Sequence, residues 1–436
     1  MASTYLSRTF QSGGNRKKWT MSMWVKRSAI SSSDENMLFQ SYVSTYTYCP
    51  IDTNDRLHFQ DGNGGTKTTS MKFRDANAWY HIVVAIDTDN STADDRYKIY
   101  VNGERITAFH TSSNPSSGYE GEWNKAQLHN IGRHSQNQSY FNGLMSHIHF
   151  CDGYQYQASD FGETDSTTGE WKIKTSPSVS YGTTGFFILK DGNSVTDQSP
   201  NTNNFTVGGS TLTKTEDCPS NVFCVWNQNA KLNSTITLTN GNTQAYSSNT
   251  SWRSLTGTLG ASSGKFYYEA KPITHDYSVH GWISDNLINS TTDGGFAFDQ
   301  DYSYGYKTYS GTVVYRESSG GGTTSYGANI DPNDVLGCAI DIDNSKAYWS
   351  KNGVWLNSAD PTNGTNGFSI QSGQTYVPAI AIRNNGASPT AQLNFGNGYF
   401  GTTAVSSAGT NASGNGIFEY DVPTGFTALS TKGLNT

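Results

Sequence analysis

Residues 334–353 read Asp334-Val-Leu-Gly-Cys-Ala-Ile-Asp-Ile-Asp-Asn-Ser-Lys-Ala-Tyr-Trp-Ser-Lys-Asn-Gly353. An apolar run from Val335 to Ile342 is broken by Asp341, Asp343 and Asn344. A second run follows from Lys346 and ends in Asn352-Gly353. This predicts strand, turn, strand and a second turn. Asn-Gly suits a type I′ turn because both residues tolerate φ > 0. The same grammar occurs earlier: Ala85-Ile-Asp-Thr-Asp-Asn90, a short loop, then Tyr97-Lys-Ile-Tyr-Val-Asn-Gly103. One strand–turn unit written twice predicts two related β-sandwiches in tandem.

Working outward, short β-branched and aromatic runs dominate: Trp19 to Val25, Tyr80 to Ile86, Ser146 to Phe150, Lys265 to Ala270 and Tyr376 to Ile382. No window of ten residues carries a 3.6-residue apolar face. The expected class is all-β, two tandem antiparallel β-sandwiches of jelly-roll type with a short C-terminal extension. At about 150 residues per domain, 436 residues allow two or three domains, and sandwiches run large. Residues 191–220 are rich in Asn, Ser, Thr and Gly, which is loop chemistry. The expected division is 1–190 and 230–400 for the sandwiches, 191–229 for a linker and 401–436 for the extension.

Composition excludes several classes. Charged residues are 15%, well under the roughly 25% of an average domain, so the polar share falls to Ser, Thr, Asn and Gly. The net charge is −7, and the one basic cluster is Arg16-Lys17-Lys18, so nucleic acid is not an expected partner. The longest apolar runs, Ile82 to Ile86 and Phe186 to Leu189, are far too short for a membrane helix, and no membrane insertion is expected. Met1 to Thr9 lacks the apolar core of a signal peptide. The five cysteines form no C-x-x-C pair, so free thiols are expected rather than a disulfide framework or a zinc site.

The first segment resembles the laminin-G-like, concanavalin A-type lectin family. The residues that carry this are Trp19-Thr-Met-Ser-Met-Trp-Val-Lys26, Trp79-Tyr-His-Ile-Val-Val-Ala-Ile-Asp87, Tyr97 to Gly103, Ile131-Gly-Arg133 and Phe141-Asn-Gly143. Phe150 to Gly153, Asp160-Phe-Gly162 and Tyr181 to Leu189 resemble the version found in tailed-bacteriophage virion proteins. The second segment resembles a SPRY domain through Ser263-Gly-Lys-Phe-Tyr-Tyr-Glu269, Gly281-Trp282, Asp334 to Asp341, Tyr348 to Gly353, Tyr376-Val-Pro378 and Asn394-Phe-Gly396. The stretch Phe418 to Leu429 is similar to the endings of phage structural proteins.

Each candidate site has a plainer structural alternative. Asp341 with Asp343, and Asp87 with Asp89, are the nearest approach to a glycanase carboxylate pair, but neither has a flanking Glu. Turn capping is the favoured role. Asp87, Asp89, Asp94 and Asp95 make an acidic loop that is a candidate calcium site, again second to turn capping. His147, His149 and Cys151 alternate and so would share one strand face, with Ile148 and Phe150 in the core. Surface or interdomain histidines are preferred to a metal site there, because no further ligand is evident. Tyr302, Tyr304 and Tyr306 also share a face, with Tyr309 close by. They are either an exposed platform for stacking sugar rings or ordinary core. Tyr46 and Tyr48 are a lesser candidate of the same kind.

The resemblance implies two binding sandwiches on a virion component without identifying the component; the expected function is a non-enzymatic virion structural protein, of tail-fibre or receptor-binding type, that adheres to bacterial surface polysaccharide. A capsid or tail decoration protein that binds other virion proteins is the alternative, and a polysaccharide depolymerase the third. A homo-oligomer assembled in the host cytoplasm into the virion is implied. No cofactor is expected other than the calcium already considered.

Overall fold

The computed structural model describes residues 3–30, 33–42, 45–136, 138–190, 194–232, 235–274, 277–285 and 295–435. The chain is all-β and divides into two compact units. Unit 1 is Met1–Lys214 with Cys218–Ser220, and unit 2 is Thr215–Asp217 with Asn221–Thr436.

Among the described residues, unit 1 pairs a six-stranded with an eight-stranded antiparallel sheet. The six-stranded sheet is centred on Lys18–Arg27, which lies between Gly143–Asp152 and Trp79–Asp87. Its inner face carries Trp19, Met21, Met23, Ile82, Val84, Ile86, Ile99 and Phe150, all in the main core. The opposite face is covered as well. Val83, Ala85 and Cys151 pack against Ala158 and Phe161, with Trp171 and Tyr181 alongside. This second layer explains why Trp79 to Ile86 is nearly continuous in hydrophobicity rather than alternating. The eight-stranded sheet includes, in order, Thr66–Thr69, His58–Asp61, Tyr46–Ile51, Asn36–Tyr42, Leu128–Ile131 and Tyr5–Thr9.

Unit 2 repeats the plan. A sheet centred on Tyr376–Arg383 and Tyr277–Ser284 continues through Ser303–Lys307 and Thr312–Glu317 to Gly320–Ser325. The facing sheet is built on Lys265–Pro272, Leu336–Asp341 and Lys346–Lys351. Trp226, Tyr268, Trp282, Trp349 and Phe395 fill the space between them. Both hairpins read from the sequence form, Trp79–Asp87 with Tyr97–Val101 and Leu336–Asp341 with Lys346–Lys351. Their Asn-Gly pairs have positive φ at both residues, 48° and 88° at Asn102-Gly103 and 49° and 79° at Asn352-Gly353.

Two segments depart from the expected division. Residues 194–229 are structured rather than a free linker, and residues 191–193 of that stretch lie outside the described residues. Thr206–Gly208 adds a strand beside Tyr5–Thr9, and Phe205 enters the first core. The Asp197 carboxylate accepts backbone N–H bonds from Phe187, Ser199 and Asn203 at 2.7–2.8 Å. A composition that looks like a linker is here a set of polar side chains satisfying turns. The segment 401–436 is likewise part of unit 2. Thr427–Ala428 pairs in parallel with Phe266–Tyr267, and Phe418, Val422 and Phe426 form a small core with Tyr267 and Tyr348.

Candidate functional site

The tyrosine strand is the first surprise. Tyr304 and Tyr306 are fully buried in the unit 2 core. The Tyr304 hydroxyl donates to Glu317 Oε1 at 2.5 Å, and the Tyr306 hydroxyl to the Ala328 carbonyl at 2.6 Å. Tyr302 lies just before the strand, in a turn with φ 58°, and packs against the same core. The exposed platform is therefore not formed. The small residues of the other face do not leave it wet. Gly305 sits beneath Phe298, and a Cβ there would lie 2.5 Å from the phenyl ring. A strand covered on both faces needs one face small enough for the covering chain to approach.

A cavity opens one strand away. Tyr315 lies directly opposite Tyr304 in the sheet. Val313, Tyr315 and Glu317 share a face of Thr312–Glu317, by strand alternation. Val313 is core, while Tyr315 and Glu317 are half-buried and line a cavity of about 410 Å³. That volume is in the range of small-ligand sites. Phe368, on the short strand Phe368–Ser369, supplies a second aromatic wall 5.4 Å from the Tyr315 ring, and Tyr326 a third. Asn357, Thr324 and Ser369 add amide and hydroxyl groups.

Local sequence explains this shape. Gly322 pairs across from Tyr315, and its missing side chain leaves room for the ring, whose hydroxyl oxygen would be 3.2 Å from a Cβ there. Gly367 lies against Tyr348, where a Cβ would come within 2.4 Å of the ring. Tyr304 fixes the carboxylate of Glu317 and also accepts the Gln371 backbone N–H at 2.8 Å. Burial, reinforced by the bond to Glu317, raises the Tyr304 hydroxyl above the usual phenol range, so it stays a donor. The tyrosines singled out in the sequence lie on the strand next to the one that lines this cavity. For Tyr315, Glu317 and Phe368 the glycine run 320–322 is the one signal that the sequence offers.

Unit 1 does bring its tyrosines together. The Tyr46 and Tyr48 rings meet edge-on at 4.8 Å, Tyr42 lies 6.0 Å from Tyr46, and His58 lies 5.1 Å from Tyr48. All four are half-buried on the face of the eight-stranded sheet opposite Thr47 and Cys49. Tyr48 hydroxyl donates to Gln60 at 3.3 Å. Burial, with Glu35 and Tyr46 near, pushes that hydroxyl up to about 12. Tyr309 is placed elsewhere, stacked on Tyr277 at 3.9 Å.

The acidic loop spreads its carboxylates rather than converging them. Asp87 pairs with Lys18 at 2.7 Å, Asp89 with Lys17 at 3.7 Å and Asp95 with Arg105 at 2.7 Å, while Asp94 accepts from Asn114. Each charge has its own donor in this arrangement, and among the described residues no group of three or more His, Cys, Asp or Glu converges on one point. Asp341 pairs with Lys265 at 2.9 Å and accepts from the Asn344 N–H, and Asp343 accepts from the Gly264 N–H. Both act in turns and pairing.

The His147, His149 and Cys151 alternation is broken by a bulge between Ser146 and His149, with His147 at φ 46°. His149 is buried rather than on the surface. It stacks on Phe187 at 3.8 Å and bonds to the Tyr181 hydroxyl. Ile148 and Phe150 do lie in the core. All five cysteines are free thiols, four of them buried.

Comparison with known proteins adds the following. Residues 3–155 match the family model described as the concanavalin A-like lectin/glucanases superfamily, Laminin_G_3. This segment has a lectin-like fold. Solved structures similar to the chain include the SPRY domain of human HERC1, 14% identical, covering 38% of this chain and 96% of that one with a TM-score of 0.31. A human SPRY domain is 15% identical, covering 37% and 94%, with a TM-score of 0.26. The PSpry domain of TRIM65 is 10% identical, covering 39% and 88%, with a TM-score of 0.30.

Proposed function

We propose that this lectin-like chain is a non-enzymatic adhesion protein of a tailed-phage virion that binds bacterial surface glycan. The observation that carries the reading is the Tyr315–Phe368 cavity. Aromatic faces there suit the C–H faces of a pyranose, and Glu317, Asn357, Thr324 and Ser369 offer acceptors and donors for its hydroxyls. The lining holds one carboxylate among the described residues, where glycoside hydrolysis commonly uses two, which favours binding over cleavage. The half-buried tyrosines of unit 1 supply a further aromatic face on the lectin-like fold. Weak single sites would be multiplied by many copies in a homo-oligomeric virion component, alongside contacts to other virion proteins.

A glycan array probed with the full chain, and repeated with Tyr315→Ala, tests this. Binding that falls at least ten-fold in the variant, with no new reducing ends released from the bound glycan, is the expected result. Release of reducing ends, or binding indifferent to Tyr315, overturns the corresponding half of the proposal.

A further inference from the structure

A second site lies on the outer face of the same sheet. Tyr277 opens the strand Tyr277–Ser284, Arg383 closes Tyr376–Arg383, and the two are direct cross-strand partners. Both belong to the face that carries Val279 and Ala381, not the face of Ile380 and Ile382 that meets the main core. Trp252 and Tyr309 join them. The Arg383 guanidinium carbon lies 4.8 Å from the Tyr277 ring centre and 5.1 Å from that of Trp252. Tyr309 stacks on Tyr277 at 3.9 Å with planes 17° apart. Phe296 closes the side of Trp252 at 4.7 Å. All five are half-buried.

The cation of this cluster is flanked by two aromatic rings rather than by a carboxylate among the described residues. Arg383 Nε is buried without a hydrogen-bond partner, and among the described residues no ion pair of the guanidinium is seen. Arg316 on the same sheet also has a buried Nε without a hydrogen bond, but it faces the carboxylates of Asp299 and Asp301. Two aromatic rings hold the planar fork in place through their faces. Its edge donors are thereby pre-oriented, and less entropy is lost when they bind an anion. A planar fork matches a carboxylate with two parallel N–H bonds. The neighbouring Trp252 and Tyr309 faces suit a ring with apolar C–H surfaces.

We infer that Trp252, Tyr277, Tyr309 and Arg383 form a binding site for a saccharide that carries a carboxylate, a hexuronic acid unit. The inference rests on the glycan-adhesion reading above and names the chemistry of one class of ligand. Arg383 takes the carboxylate and the aromatic rings take the sugar face.

Titration of the full chain with trigalacturonic acid and with its trimethyl ester tests it. The acid should bind at least ten-fold more tightly than the neutral ester. Arg383→Gln should abolish that preference. Arg383→Lys, which keeps the charge and loses the fork, should weaken acid binding at least several-fold. Thermal melting checks that each variant is folded, and Trp252→Phe provides a milder change if Arg383 variants melt early. Equal binding of acid and ester, or an Arg383→Lys variant that binds like the parent, overturns the site. If neutral glycan still binds in a Tyr315-dependent way, the inference falls alone. If no saccharide binds the full chain at all, the adhesion reading falls with it.

Discussion

The carboxylate of Glu269 accepts the backbone N–H of Tyr420 at 2.9 Å, across 151 residues of sequence. The same oxygen, Oε1, accepts from the Tyr267 hydroxyl at 3.2 Å, and Oε2 accepts the Glu419 N–H at 2.9 Å and the Asn394 amide at 3.1 Å. One buried side chain on the central strand Lys265–Pro272 thereby ties down the segment that leads into Thr427–Ala428. Removing it leaves buried donors unpaired, which costs about 1–3 kcal/mol for each. Glu269→Ala should speed hydrogen exchange at the Glu419 and Tyr420 amides by at least ten-fold. Unchanged protection there would mean that the Phe418–Phe426 cluster holds the segment alone.

Burial pushes Glu269 up to about 7 from its ordinary 4.5, against the four donors that favour its charged form. The folded state then holds a proton that the unfolded chain has released. Its contribution is complete below about pH 4.5 and is lost as pH rises through 7, a change of roughly 3 kcal/mol at about 1.4 kcal/mol per unit. Urea unfolding of the parent and of Glu269→Gln should diverge in pH dependence across that window, with the Gln variant flatter. Parallel curves would contradict the shift.

Buried histidines act in the opposite sense in unit 1. Burial pushes His81 and His129 down to about 3 from 6.5. Trp171 Nε1–H donates to His81 Nδ1 at 3.0 Å, so Nε2 carries the proton and donates to Ser22 Oγ at 2.9 Å. The unfolded chain binds protons here that the folded chain refuses. The stability is present above 6.5 and lost as pH falls toward 3, at about 1.4 kcal/mol per group per pH unit. His81→Gln should unfold less steeply with acid than the parent in the same urea series between pH 6.5 and 4. A slope equal to the parent's would contradict it.

Tyr306→Ala and Tyr315→Ala should part ways in one experiment. Tyr306 is in the core, and its loss should cost about 3–5 kcal/mol, by analogy with buried Phe→Ala. Tyr315 is half-buried at the cavity, and its loss should cost much less while removing glycan binding. Melting curves and array binding, read together, check both. Similar melting temperatures for the two variants would show that the strand assignment is wrong.

The buried pair Arg27–Asp55, 2.9 Å apart and both under 2% exposed, gives a last test. Arg27→Met removes the buried cation from the Asp55 carboxylate while the surface Arg74 stays beside it, and should cost about 3–5 kcal/mol. Adding Asp55→Leu should recover part of that loss in the same unfolding assay. No recovery would indicate that packing, not charge, is what Arg27 contributes.

The sequence by itself determined what is local. Asn102-Gly103 and Asn352-Gly353 form turns because few other residues accept two successive positive φ values, and the runs beside them become strands because of their residue types. Asp341 and Asp343 were readable as turn acceptors for the same reason, as their partners Asn344 and Gly264 lie at chain turns. Tertiary structure alone decided burial. Tyr304 and Tyr306 alternate as an exposed platform would, and only the approach of Phe298 over Gly305 on one face and of Trp349 on the other makes the strand core. The same holds for residues 194–229 and 401–436, whose polar composition reads as loose chain until Asp197 and Glu269 are seen to hold their backbones. The cavity walls Tyr315 and Phe368, and the pair Trp252 and Arg383, are far apart in sequence and meet only when strands are placed side by side. Periodicity fixes which residues share a face, but not whether that face meets water, another sheet or a ligand.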